Sequence, residues 1–104
     1  MIIQINTDKN IAGTDKLSAY LDSAITEELA RYSDKISRLE VHLSDENSHK
    51  EGQNDKRCML EARVEGIQPI AVTNQAATTE QAIDGALDKL KASLQTIFGK
   101  LKTH

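Results

Sequence analysis

A chain of 104 residues is long enough for one domain with one modest core, and residues 1–104 are read as a single unit. Aromatics make up only 3% of it, so the core must come from Ile, Leu, Val and Ala. Cys58 is the only cysteine, which excludes an intramolecular disulfide and points to a cytoplasmic setting. No apolar run approaches the ~20 residues of a membrane span. Met1 to Asn6 lacks the basic start and long apolar stretch of a signal peptide. The formal net charge of −3 hides a division. Residues 1–88 hold nine bases and sixteen acids, a net of −7, whereas 89–104 hold four lysines and no acid. Such asymmetry marks either a contact with a polyanion or lysines that favour a helix C-terminus through the macrodipole.

The isoleucine-rich run at 2–6 predicts a first strand. Asn10 to Asp15 is turn-like, with Gly13 and then Thr14 or Asp15 as a helix cap. From Lys16 to about Tyr32, Leu17, Tyr20, Leu21, Ala24, Ile25 and Leu29 follow helical spacing. The period then changes. Over Ile36 to Ser44, Leu39, Val41 and Leu43 alternate with Arg38, Glu40 and His42, as in a half-buried strand. Asp45 to Lys56 is too polar for a core and reads as a loop. Cys58, Leu60, Ala62 and Val64 alternate again, and a turn begins at Glu65-Gly66. Pro69 suits a strand start, so Ile70 to about Asn74 is a fourth strand.

The last element is a helix from Thr78 to Lys102. Thr78 and Gln81 have capping-box spacing, and Ile83, Leu87, Leu90, Leu94, Ile97 and Leu101 form one apolar stripe. The order β-α-β-β-β-α predicts an α+β fold: a four-stranded, mostly antiparallel sheet with two helices on one face.

No catalytic constellation stands out. Cys58 and His42 are a possible nucleophile and base, but the alternation puts His42 on the water face and Cys58 with the apolar residues. The sequence holds no zinc-ligand spacing and no phosphate-cradling glycine loop, and no cofactor is expected. Glu27, Glu28, Asp84 and Asp88 read as solvated helix surface. Asp88 and Lys91 form an i,i+3 pair worth about 0.2–0.5 kcal/mol. At ~100° per residue, Lys89 and Lys100 fall on one flank of the apolar stripe, Lys91 and Lys102 on the other. Arg31, Lys35 and Arg38, near the end of the first helix, add to one flank. Tyr20 and Tyr32 read as core-edge residues rather than stacking platforms. With so few aromatics, phosphate contacts and shape are the plausible routes to RNA.

The segment Ala82-Ile83-Asp84-Gly85-Ala86-Leu87-Asp88-Lys89-Leu90, with Lys100-Leu101-Lys102 beyond it, resembles the last helix of the ribosome hibernation-promoting factors. That family includes the ribosome-associated translation inhibitors and was once labelled sigma-54 modulation proteins. Tyr32-Ser33-Asp34-Lys35-Ile36 is similar to its helix-to-strand junction. The resemblance covers essentially the whole chain. It implies binding to the small ribosomal subunit, in the channel used by mRNA and tRNA. Lys89, Lys100 and Lys102 match basic positions of the family's last helix, and Lys35 matches the junction base. Lys91 has no clear counterpart. The chain departs from the pattern in three places. Ala92, Thr96, Ile97 and Phe98 stand where relatives are more basic, the first helix carries Asp22, Glu27 and Glu28, and the Asp45–Lys56 loop is long. Ending at His104, the chain resembles the short form, without the domain that pairs ribosomes.

The expected function is therefore non-enzymatic: a hibernation or translation-inhibiting factor that occludes the decoding channel. Lys89, Lys91, Lys100, Lys102, Lys35, Arg31 and Arg38 are the candidate contacts to rRNA phosphates. No membrane and no small-molecule substrate are expected. The first rival is a divergent module that kept the fold but binds a protein, suggested by the acidic first helix and the Ile97-Phe98 pair. A small enzyme is the second. Gly85, inside a helix at a cost of about 1 kcal/mol, is read as permitting close packing. Phe98 is read as an extension of the core or as an exposed anchor.

Overall fold

A computed structural model describes residues 1–8, 11, 14–45 and 55–102, with the side chains of Thr14 and 100–102 outside that description. Its elements run β1 (Ile2–Thr7), α1 (Thr14–Glu28), a 3-10 turn (Ala30–Tyr32), β2 (Ile36–Asp45), β3 (Lys56–Val64), β4 (Ile70–Ala76) and α2 (Thr79–Lys102). The strands form one sheet in the order β1-β2-β3-β4. β1 pairs parallel to β2, because the chain must cross over through α1 to return. The β2–β3 and β3–β4 pairs are antiparallel. The expected α+β order and the mostly antiparallel sheet are both present.

Side-chain alternation makes one sheet face apolar. Register aligns Ile5, Val41, Leu60 and Val72 across all four strands, with Ile3, Leu39, Ala62 and Ile70 one step along. The helices cover this face. From α1, Leu17, Leu21 and Ile25 are buried, with Leu29 just beyond its end, and from α2, Ala82, Ile83, Ala86, Leu87, Leu90 and Leu94. Burying a leucine or isoleucine contributes about 1.5–3 kcal/mol, while an exposed ion pair contributes about 0–1 kcal/mol. The aliphatic stripe therefore decides which face each helix turns to the sheet.

Two local features depart from simple periodicity. The α-helix ends at Glu28 rather than near Tyr32, and the chain tightens into the 3-10 turn. Tyr32 N–H donates to Leu29 O at 2.9 Å and Lys35 N–H to Tyr32 O at 2.9 Å. Spacings of three residues suit a 3-10 turn as well as an α-helix, so Leu29 and Tyr32 could not reveal the change. In β2, Ile36 and Leu39 are both buried although three apart. A bulge between Ile36 and Arg38 resets the alternation, and Ser37 Oγ donates to Arg63 O at 3.2 Å.

Helix α2 begins as its capping residues require, with Gln81 N–H donating to Thr78 Oγ1 at 3.1 Å. Asp45 and Lys56 are register partners joined at 3.1 Å, and Lys56 also meets Asp55 at 3.3 Å. Residues 46–54 and the loop reading for them lie outside the described residues.

Gly85 marks the close approach of α2 to β4. A Cβ built there would lie 2.6 Å from Asn74 Cγ and closer still to its amide nitrogen. Asn74 Nδ2 meanwhile donates to Ala82 O at 3.4 Å and lies 3.5 Å from Gln81 O. The packing role expected of Gly85 is thus against a polar side chain, not against the apolar stripe. Alanine at 85 should gain about 1 kcal/mol of helix propensity but must expel Asn74. We expect Gly85→Ala to lower the urea midpoint, and Asn74→Ala to relieve that drop in the double variant. A higher midpoint in Gly85→Ala alone would sink this account.

Tyr20 fastens the two helices, its hydroxyl donating to Asp84 Oδ1 at 2.6 Å. That hydrogen bond first, then burial and the charges of Asp84 and Glu80, push its pKa from 10.0 up to about 12. The folded state keeps a proton that the unfolded chain releases above pH 10. The associated stability is complete below pH 10 and is lost as pH rises towards 12. Urea midpoints of the parent should therefore fall more steeply over pH 10–12 than those of Tyr20→Phe. Parallel curves would remove the linkage.

Candidate nucleic-acid interface

The seven candidate cations do not form one surface. Lys91 leaves α2 on the α1 side and meets Glu28 Oε2 at 2.8 Å. The hydrogen bond and charge of Glu28 raise its pKa, with a smaller push from Asp88. The lysine's short contact is thus with α1 rather than with the i,i+3 acid expected for it. An exposed pair of this kind adds little stability, but it neutralises Lys91. Lys89 leaves on the opposite flank, as its helical position requires, and donates to Thr73 O at 2.7 Å. Thr73 lies in β4, a sheet-edge strand, so the lysine satisfies and shields an edge carbonyl. A carbonyl carries no formal charge, and no carboxylate pairs with Lys89 among the described residues.

Arg38 alternates with buried Leu39, and its register partner is Arg63. It therefore belongs to the sheet face away from the helices. Lys100 and Lys102 belong to the last turns of α2, and their side chains lie outside the described residues.

Arg31 and Lys35 do come together with α2. They flank Tyr32, which is buried and stacks on Phe98 with ring centroids 5.6 Å apart and planes 18° apart. The Arg31 guanidinium lies 5.8 Å from the Tyr32 ring centre. Arg31, Tyr32, Lys35, Gln95, Phe98 and Gly99 line a cleft of about 310 Å³. Neither Arg31 nor Lys35 has an ion-pair partner among the described residues. Tyr32 is a core-edge residue, as expected, and Phe98 is half-buried against the core rather than an exposed anchor. Sequence reasoning singled out neither Gln95 nor Gly99. The available signal was a second helical glycine, next in sequence to the lone phenylalanine.

The Cys58–His42 pairing does not form. Cys58 pairs with Leu43 and His42 with Met59, which puts the two side chains on opposite sheet faces. Cys58 is fully buried, and desolvation pushes its thiol up to about 12, far from a reactive thiolate. Among the described residues no three His, Cys, Asp or Glu side chains cluster as metal ligands, and no helix is long and apolar enough to cross a membrane. His49 and His104 lie outside the described residues.

Several solved structures share this fold. The N-terminal domain of Thermus thermophilus Protein Y is 24% identical, with a TM-score of 0.73, covering 93% of this chain and 99% of that one. A ribosomal subunit interface protein from Coxiella burnetii is 16% identical, with a TM-score of 0.72, covering 95% of this chain and 99% of that one. No curated protein matches the sequence significantly. The family described as "Sigma 54 modulation protein / S30EA ribosomal protein" matches residues 3–102, from β1 to the end of α2. The chain belongs to that family.

Proposed function

We propose that this protein is a non-enzymatic, cytoplasmic factor that associates with the small ribosomal subunit and keeps idle ribosomes silent. The observation that carries the reading is the family match over residues 3–102, which runs from within β1 to the end of α2. Family membership supports a ribosome-associated role. The finer mechanism is occlusion of the mRNA and tRNA channel, with lysines on rRNA phosphates.

The charge arrangement supports a particular set of contacts. Lys91 is matched by Glu28 and contributes little net charge. Arg31 and Lys35 have no ion-pair partner among the described residues and lie beside α2, whose last turns add Lys100 and Lys102. The protein-partner alternative loses part of its motive, because Ile97 and Phe98 are both half-buried.

Cosedimentation with purified small subunits at increasing salt tests the proposal. Removing one cation that neutralises a phosphate should flatten the log–log salt slope by roughly 0.7–0.9. We expect Lys35→Gln combined with Lys100→Gln and Lys102→Gln to weaken association and flatten the slope by roughly 2–3. Lys91→Gln should change neither. Absence of the parent protein from the subunit fraction at low salt would refute ribosome association.

A further inference from the structure

We infer that the cleft between the 3-10 turn and the end of α2 is a binding site for one nucleotide, its phosphate on Arg31 and Lys35 and its base against Phe98. The biological source would be RNA, and to that extent the inference rests on the ribosome reading.

Four observations converge. The first is charge. Arg31 and Lys35 line the cleft without a carboxylate partner among the described residues, so the cleft selects an anion. Arg31 also lies near the Tyr32 ring, which places a planar cation beside the aromatic pair. The second is the wall. Two of the three aromatic residues of the chain meet here, and Phe98 lines the opening. A base stacks on such a surface whatever its identity. The third is Gln95, which is exposed and carries both a donor and an acceptor for a base edge.

The fourth is Gly99. A glycine inside a helix is unfavourable by about 1 kcal/mol relative to alanine. Gly85 has an internal reason, since Asn74 occupies the place of its Cβ. At Gly99, by contrast, a built Cβ would meet nothing within 4 Å among the described residues. It lines the cleft, where the missing side chain lets a ligand approach the backbone. A bare phosphate would use the two cations and leave the aromatic wall, the amide and the glycine without a role. The volume, about 310 Å³, is at the lower end of small-molecule sites. That suits one nucleotide rather than a run of them.

The test follows backbone and Gln95 amide signals by NMR during separate titrations. The probes are a hexamer of single-stranded RNA, adenosine monophosphate, inorganic phosphate and an acidic hexapeptide. The hexamer should shift Arg31, Gln95 and Gly99 most. If adenosine monophosphate shifts the same amides, the site accepts a free nucleotide. If only the hexamer does, the site requires the strand. Both results support the inference.

Gly99→Leu adds bulk without charge at a position with room for it. It should weaken hexamer binding at least tenfold and leave the salt slope unchanged. Arg31→Gln with Lys35→Gln should weaken binding and flatten the slope, which tests the site independently should Gly99→Leu fail to fold. Phosphate shifts equal to those of the nucleotide, with Gly99→Leu indifferent, would overturn the inference in favour of a plain anion site. Binding of the peptide but not the hexamer would also overturn it. Subunit cosedimentation separates the two readings. Retention of Gly99→Leu on subunits, with no hexamer shifts in the parent, removes the cleft and leaves the ribosome role. Hexamer shifts without cosedimentation of the parent do the reverse.

Discussion

The close approach of Gly85 to Asn74 sets the position of α2 on the sheet. Asn74 belongs to the helix-facing side of β4, where an apolar residue would be the default, and it directs its amide to helix carbonyls of α2. Only a residue without a Cβ leaves room for it. With the helix seated there, Ile83, Leu87, Leu90 and Leu94 are buried and the stripe is used in full over that span. The same seating brings Lys89 within reach of the β4 edge. Further along the helix, it carries Phe98 onto Tyr32.

The electrostatics follow from that seating. Along the α1–α2 contact, polar groups are consumed in pairs: Tyr20 with Asp84, and Lys91 with Glu28. These pairs add little to stability beside the aliphatic core, but they decide which charges remain for a partner. The matched region lies over the first part of α2. Arg31 and Lys35, without an ion-pair partner among the described residues, lie by its last turns, next to an aromatic wall. An acidic protein can thus present one basic end without a basic composition, and the acids of α1 do not contradict a role at RNA.

Relatives of low identity share the fold at TM-scores of 0.73 and 0.72, although few positions agree. The physical reason is that the core needs only volume and periodicity. Aliphatic residues substitute for one another at small cost when volume is kept. The charge pattern has no such constraint. In this chain the middle of α2 carries Ala92, Thr96 and Ile97 rather than bases.

Much of the fold was legible in residue order. Period-two runs marked β2 and β3, period 3.6 marked both helices, and Thr78 marked where α2 begins. The same patterns put Cys58 inside and His42 outside, because burial of one face is a local property of a strand. Periodicity could not show the bulge at Ser37 or the 3-10 turn before Tyr32, since both keep the same residues buried by a different backbone path. Nor could it show which charges are free. The sequence by itself determined the element order, the buried faces and the basic end of the last helix. Tertiary structure alone decided that Lys91 is matched, that Lys89 holds an edge carbonyl, and that Arg31 and Lys35 share a cleft with Phe98. Those outcomes depend on distances between elements up to 67 positions apart in sequence, Arg31 to Phe98 among them, and no local period records such distances.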